Sequence, residues 1–252
     1  MIKLIASDLD GTLLKRDEAA LSEETRVGIS SALASGRELA VISGRDVLSL
    51  EKLFDFSNAK PYYIGCSGAV CVKDGKVLYS RPVPDTAVIK AQRYARDTGK
   101  KAVFCAADTV YVCGPDCFKK HIVSLYGEGA VTSVSVISDI KKPIYKISFY
   151  TLKGETGIDF SDFGVRLSYN KNGWTEYVNR FVNKGGALTA LQSRLGVLRS
   201  NTASLGDSRD DCDMFEHSAL SFAFGDEAEK GCPQSVRVSS FAEAYGMIIR
   251  EK

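Results

Sequence analysis

Two aspartates two residues apart, Asp8 and Asp10 in Asp8-Leu9-Asp10-Gly11-Thr12-Leu13-Leu14, follow directly on an apolar run at residues 2–7. On an extended backbone, side chains two apart point the same way, so both carboxylates can face one ligand while Leu9 turns into the core. Carboxylates this close repel, and both ionise cheaply only when a cation or a proton intervenes. The pair implies a bound hard metal or a divided acid and base role. Gly11 lets the backbone turn and approach a ligand, and Thr12 offers a hydroxyl and an amide to an anion.

Three more clusters carry chemistry. Ser43-Gly44-Arg45 brings a hydroxyl and exposed amides suited to a phosphate oxygen, just before a helix N-terminus with its positive dipole end. Lys184-Gly185-Gly186 delivers a cation to the start of a helix. Gly206-Asp207-Ser208-Arg209-Asp210-Asp211 packs three carboxylates into five residues, a loop suited to Mg²⁺, which favours a few carboxylates plus waters and phosphate. Taken singly, each is also what an ordinary polar turn or a solvated lysine looks like.

The elements that must position these groups alternate strand and helix. Strands are expected at 2–7, 38–43 and 62–64, with helices at about 22–34 and 46–54, and Asp74-Gly75 between Val-Cys-Val and Val-Leu-Tyr-Ser marks a hairpin. From about Arg81 the order changes to helix 85–98, strands 101–106 and 109–113, helix 115–126, and strands near 144–151, 165–169 and 174–179. After Lys184 alternation returns with helix 184–195, strand 202–206, helix 209–217, strands 221–224 and 235–238 and helix 240–250. The expectation is an α/β protein: a Rossmann-like, doubly wound parallel sheet formed by residues 1–81 and 182–252, with an α+β unit, 82–181, inserted between them. In such a sheet ligands sit beyond the carboxyl ends of the strands, where the four clusters fall.

Composition narrows the function classes. The 252 residues are 44% hydrophobic and 25% charged, as in a soluble globular protein, and 33 basic against 31 acidic residues give a net charge of +2, with no basic footprint for nucleic acid. Charge interrupts the N-terminal apolar stretch within eight residues, so it reads as neither signal peptide nor membrane span, and a cytoplasmic address follows by default. Seven cysteines without a Cys-x-x-Cys pair read as small buried apolar residues, and His121 and His217 as packing residues. No G-x-G-x-x-G follows the first strand, which argues against a dinucleotide site.

Together, the Asp8–Leu14 segment, Val41-Ile42-Ser43-Gly44-Arg45, Glu176 eight residues before Lys184-Gly185-x-Ala187-Leu188, and Gly206-Asp207-Ser208-x-x-Asp211-x-x-Met214-Phe215 resemble the haloacid dehalogenase superfamily, specifically its Cof-like phosphatases with a large inserted type IIB cap. The resemblance covers both core segments. It implies that Asp8 is a nucleophile phosphorylated during turnover. Asp10 would be the general acid and base and a ligand of Mg²⁺ through its main-chain carbonyl, and Asp207 a further ligand, with Asp8 also at the metal. Ser43 and Lys184 would hold the phosphate, with Thr12 and Gly44 beside them. The implied activity is Mg²⁺-dependent hydrolysis of small phosphate monoesters, sugar phosphates foremost. A sugar phosphomutase with the same chemistry and a non-catalytic sensor on the same fold are the alternatives.

Three positions depart from the family's pattern: Ser67-Gly68-Ala69 for Asn-Gly-Ala, Gly225-Asp226-Glu227 for Gly-Asn-Ala, and Asp210 where asparagine is usual. Asp210 binds Mg²⁺, pairs with Lys184 or is held protonated, and Asp211 beside it is a second candidate at the metal or just behind it. Arg45, Glu176 and Arg180 are candidate substrate contacts. Trp174 also lies on the last strand of the insert, while Tyr177 is assigned to packing because a strand buries alternate residues.

Overall fold

A computed structural model describes residues 1–56, 59–150, 158–171 and 173–250. The chain runs β1 (Leu4–Ser7), α1 (Glu23–Ala34), β2 (Glu38–Ile42), α2 (Val47–Leu53), β3 (Tyr62–Gly65), β4 (Val70–Lys73) and β5 (Lys76–Ser80). It continues through α3 (Asp85–Thr98), β6 (Lys101–Cys105), β7 (Val110–Cys113), α4 (Asp116–Tyr126), β8 (Val131–Ser133), β9 (Lys146–Tyr150), β10 (Val165–Lys171) and β11 (Trp174–Asn179). It closes with α5 (Lys184–Leu195), β12 (Thr202–Gly206), α6 (Cys212–Glu216), β13 (Leu220–Ala223), α7 (Asp226–Gly231), β14 (Val236–Arg237) and α8 (Phe241–Arg250).

Two sheets result. The first has the order β14-β13-β12-β1-β2-β3-β4-β5, parallel from β14 to β3 and antiparallel through β4 and β5. Its central strand β1 pairs in register with β12 on one side (Leu4 with Thr202) and β2 on the other (Leu4 with Glu38). Strands buried on both faces are apolar at every position, and period two divides the side chains between faces. Ile5, Leu39 and Val41 pack with Ile29 of α1 and Phe241 and Ile248 of α8. Leu4, Ala40 and Ile42 pack on the other face with Leu188 and Leu191 of α5 and Met214 of α6. Helices thus cover both faces of the expected α/β core. Ser22 caps α1 by accepting from the Thr25 amide, as its position before two glutamates predicts.

The second sheet, β10-β11-β9-β6-β7-β8, is antiparallel except between β7 and β8. In β6, Ala102 and Phe104 pack toward α3 while Val103 and Cys105 face the side of α4. The two passages between the sheets are bonded to each other. Asn179 Nδ2 donates to the Pro82 carbonyl at 2.7 Å, and Arg81 Nη1 to the Phe181 carbonyl at 3.2 Å.

The structure differs from expectation in small elements. β8 and α7 were not foreseen, because Val-Thr-Ser is short and largely exposed and Asp226–Gly231 has no apolar repeat. The helix expected over 209–217 is a 3-10 turn, Arg209–Asp211, leading into α6. Thr151, the expected end of β9, lies outside the described residues. Among those described, no helix is long and apolar enough to cross a membrane.

Candidate active site

Strand ends bring the four clusters together. Asp8 extends β1 by one more ladder bond, its amide donating to the Leu205 carbonyl at 2.9 Å, and its side chain is buried. The chain then folds tightly: the amides of Thr12 and Leu14 both donate to the Leu9 carbonyl. Gly11 makes that fold possible. Its φ is +91°, and a Cβ there would collide with Asp207 Oδ2.

Lys184, the first residue of α5 behind the Asn183 cap, reaches into this floor. Its Nζ donates to Asp8 Oδ1 at 2.7 Å and to Asp211 Oδ1 at 2.6 Å. Asp211 is fully buried, and its other oxygen accepts from the Asp207 amide (3.0 Å), the Ser208 amide (3.0 Å) and Ser208 Oγ (2.9 Å). Both oxygens of Asp211 are therefore committed to holding the loop and Lys184. Asp210, one residue earlier, is exposed on the cavity wall and has no part in the buried acidic group, and the partner that Lys184 finds on this loop is Asp211.

One ammonium between two buried carboxylates leaves negative charge uncompensated. Burial pushes the Asp8 carboxyl up from 3.8 to about 7, with Lys184 opposing and Asp211 adding to the rise. Burial also raises Asp207, against the Arg16 guanidinium bonded to its Oδ2 at 2.9 Å. For Lys184, burial works downward, but Asp8 and Asp211 outweigh it and hold the ammonium protonated.

These residues fit a divalent cation. Asp8, Asp207 and Asp211 each bring an oxygen within 4.8 Å of the others, the one such group among the described residues. Since Asp211 is spent on hydrogen bonds, Asp8 Oδ2, which accepts from Thr12 Oγ1 at 3.4 Å, and Asp207 Oδ1 are the oxygens available to a metal. Two hard donors with room for water and phosphate suit a small, hard ion.

The remaining candidates surround this floor. Asp10, half-exposed, is gripped by a two-pronged Arg45 fork (Nη2 to Oδ1 2.6 Å, Nε to Oδ2 3.0 Å), so its carboxylate stands apart from the acidic group. Buried Ser43 accepts from the Arg45 amide at 3.1 Å through Oγ. Asp8, Asp10, Ser43, Gly44, Arg45, Lys184 and Asp207 line one cavity of about 910 Å³. Its opposite wall comes from the second sheet and α4, and includes Trp174 and Glu176.

One candidate falls elsewhere, and Tyr177 packs as its strand position predicts. Arg180 follows the end of β11, is exposed and lies against the Phe181 ring, outside the cavity, because strand parity no longer directs it. Tyr177 packs on the second sheet, 4.8 Å from the Phe160 ring. Conversely, His121, read as a packing residue, is exposed on the cavity wall, since it falls on the flank of α4 beside buried Phe118 and Ile122 rather than among them. Arg16 and Lys146 were not anticipated. Lys146 had a signal: in Lys146–Tyr150, Lys146 and Ser148 alternate with apolar Ile147 and Phe149, and Glu176 sits opposite Ser148 in register. The cysteines are free; five are buried, Cys212 is partly so and Cys117 is exposed.

Comparisons with known proteins identify the family of the chain. The profile of the haloacid dehalogenase-like hydrolases matches residues 5–235. Phosphatase YwpJ of Bacillus subtilis is 24% identical over 268 residues, covering 90% of this chain and 91% of that protein. The 5-amino-6-(5-phospho-D-ribitylamino)uracil phosphatase YcsE of the same organism is 24% identical over 229 residues, covering 89% and 84%. A haloacid dehalogenase-like hydrolase from Bacteroides thetaiotaomicron shares the fold with a TM-score of 0.81 at 18% identity, over 98% of this chain and 100% of that one. A match spanning nearly the whole chain makes this protein a member of the haloacid dehalogenase-like hydrolase family and a phosphoric monoester hydrolase.

Proposed function

We propose that the chain is a Mg²⁺-dependent phosphatase of small phosphate monoesters, sugar phosphates foremost, that works through an aspartyl phosphate on Asp8, with residues 82–181 acting as a cap over the site. The observation that carries this reading is the position of Asp8: a buried carboxylate steadied by Lys184, beside Asp207, on the floor of a walled cavity. The Asp8 carboxylate attacks phosphorus in line, and Lys184 with the Ser43 turn draws charge from the phosphoryl oxygens. Asp8, Asp207 and the Asp10 main-chain carbonyl would hold Mg²⁺, which supplies charge neutralisation between nucleophile and substrate. Asp10 protonates the departing alkoxide, and once ionised it deprotonates the water that cleaves the acyl phosphate. A cavity enclosed on the far side by the insert favours small leaving groups over macromolecules.

The test is phosphate release from a panel of sugar, nucleotide and glycolytic phosphates with Mg²⁺ and no added bisphosphate. Turnover of one or more sugar phosphates is expected, with loss of activity in excess chelator that Mg²⁺ restores. Full activity in chelator would remove the metal from the mechanism.

Asp10 gives a sharper expectation. Its proton matters for an alkoxide leaving group and little for a phenolate, so Asp10→Asn should slow phosphorylation by sugar phosphates by about 10²–10⁴-fold and by aryl phosphates much less. Single-turnover rates that fall equally on both substrates would leave Asp10 without a role as acid.

A further inference from the structure

Lys146 stands on β9 in the second sheet with its side chain only 7% exposed, yet it carries a charge. Glu176, on the neighbouring strand, accepts from its Nζ at 3.2 Å, and Ser148 Oγ lies 3.4 Å from the same carboxylate oxygen. Burial works against the ammonium, and Glu176 foremost outweighs it. The other bond of Lys146 leaves its sheet altogether. Nζ donates to the carbonyl of Gly44 at 3.1 Å, joining the inserted unit to the turn at the end of β2.

That carbonyl belongs to a peptide with both polar groups in use. The amide on its other side, Arg45 N–H, donates to Ser43 Oγ. An oxygen that accepts there keeps its own proton for an acceptor elsewhere, such as a phosphoryl oxygen. The side chain on the same peptide is the Arg45 fork that holds Asp10. Rotating the Gly44–Arg45 peptide would therefore disturb the Ser43 hydroxyl and the Asp10 carboxylate at once. Mere adhesion between the two units is achieved at lower cost by apolar contact than by a buried lysine, whose charge must first be desolvated.

We infer that Lys146 is a positioning residue: by holding the Gly44 carbonyl when the insert is seated, it sets the Ser43–Arg45 turn in its phosphate-binding form. This rests on the phosphatase reading and adds to it how the insert reaches the phosphate end of the substrate. A residue acting through the turn affects the part that all substrates share. Lys146→Met should raise KM about tenfold, by a similar factor for aryl and sugar phosphates, with a smaller fall in kcat and an equal weakening of inorganic phosphate as competitor.

Calorimetric binding of inorganic phosphate with Mg²⁺ to the unmodified protein and to the variant reads the turn without turnover. A protein that binds phosphate but hydrolyses nothing thus fails the phosphatase reading while still testing this one. Weakened phosphate binding in the variant supports the inference. Unchanged phosphate binding with losses confined to particular leaving groups would overturn it in favour of direct substrate contact. Unchanged KM with activity lost in proportion to unfolded protein would also overturn it, as would an unmodified protein that binds no phosphate. Should unpaired Glu176 unfold the single variant, K146M/E176Q removes both charges, and the same shift in phosphate affinity is expected of it.

Discussion

Asp8→Asn should release no measurable phosphate from any substrate, and without metal it should melt above the unmodified protein at pH 8. Removing the attacking carboxylate costs on the order of 10⁴-fold or more in rate. The stability gain follows from the raised acidity constant of Asp8. A folded-state value of about 7 against 3.8 in the unfolded chain means that the protonated form is the stabilised one. Its contribution is complete below about pH 3.8 and is lost as pH rises through about 7. At pH 8 holding the carboxylate ionised costs about 4 kcal/mol relative to an unshifted group, and at pH 5, where the folded protein keeps it protonated, the penalty is about 1.5 kcal/mol. Asparagine carries no such penalty and can still accept from Lys184. Melts in chelator should show the advantage of the variant growing from pH 5 to pH 8, and millimolar Mg²⁺ should narrow it by compensating the charge in the parent. An advantage that stays flat or shrinks with pH would contradict the proposed electrostatics.

Asp211→Ala should be the most destabilising single change in the site, although Asp211 is spent on hydrogen bonds and offers no oxygen to metal or phosphate. It strips acceptors from a buried and a partly buried backbone amide and from one hydroxyl, and leaves Lys184 with Asp8 alone. Breaking one side of such a buried, charged network costs about 3–5 kcal/mol, or roughly 6–20 °C in melting temperature for a chain of this size. With Asp207 no longer held, the Mg²⁺ concentration for half-maximal activity should rise as well. Asp210→Asn, on the exposed neighbour, should shift stability by no more than about 0.5 kcal/mol. Thermal melts and Mg²⁺ titrations of the two variants side by side decide it. If the Asp210 variant is the more damaged, the roles assigned to these adjacent aspartates are reversed.

That contrast shows where sequence reasoning reached and where it stopped. Alternation of apolar strands and capped helices was enough to locate β1, α1, β2, α3 and α5 within a residue or two, because burial on both faces and side-chain caps leave local marks. The strand-end clusters were legible for the same reason. Three carboxylates in five residues, however, do not say which turns inward. The 3-10 turn decides it, and the Ser208-x-x-Asp211 spacing was the available sign, since Ser208 and Asp211 form a capping box. Contacts between the sheets, such as Lys146 with Gly44 or the Tyr126 hydroxyl with Asp46 at 2.7 Å, depend on tertiary placement of residues far apart in the chain. Residue spacing carries no direct sign of them.

The place of β1 between β2 and β12 matters before the protein is finished. A ribosome delivers β1 and β2 early, but the strand that covers the other edge of β1 ends at Gly206. At typical elongation speeds, that apolar edge stays bare for about 10–40 s, while the entire excursion through the second sheet is being made. An unpaired, fully apolar edge is a template for another chain. Nascent chains should therefore be most prone to associate just before residue 206 emerges, and chains truncated ahead of β12 should be insoluble, whereas loss of the short, outermost β14 should be tolerated far better.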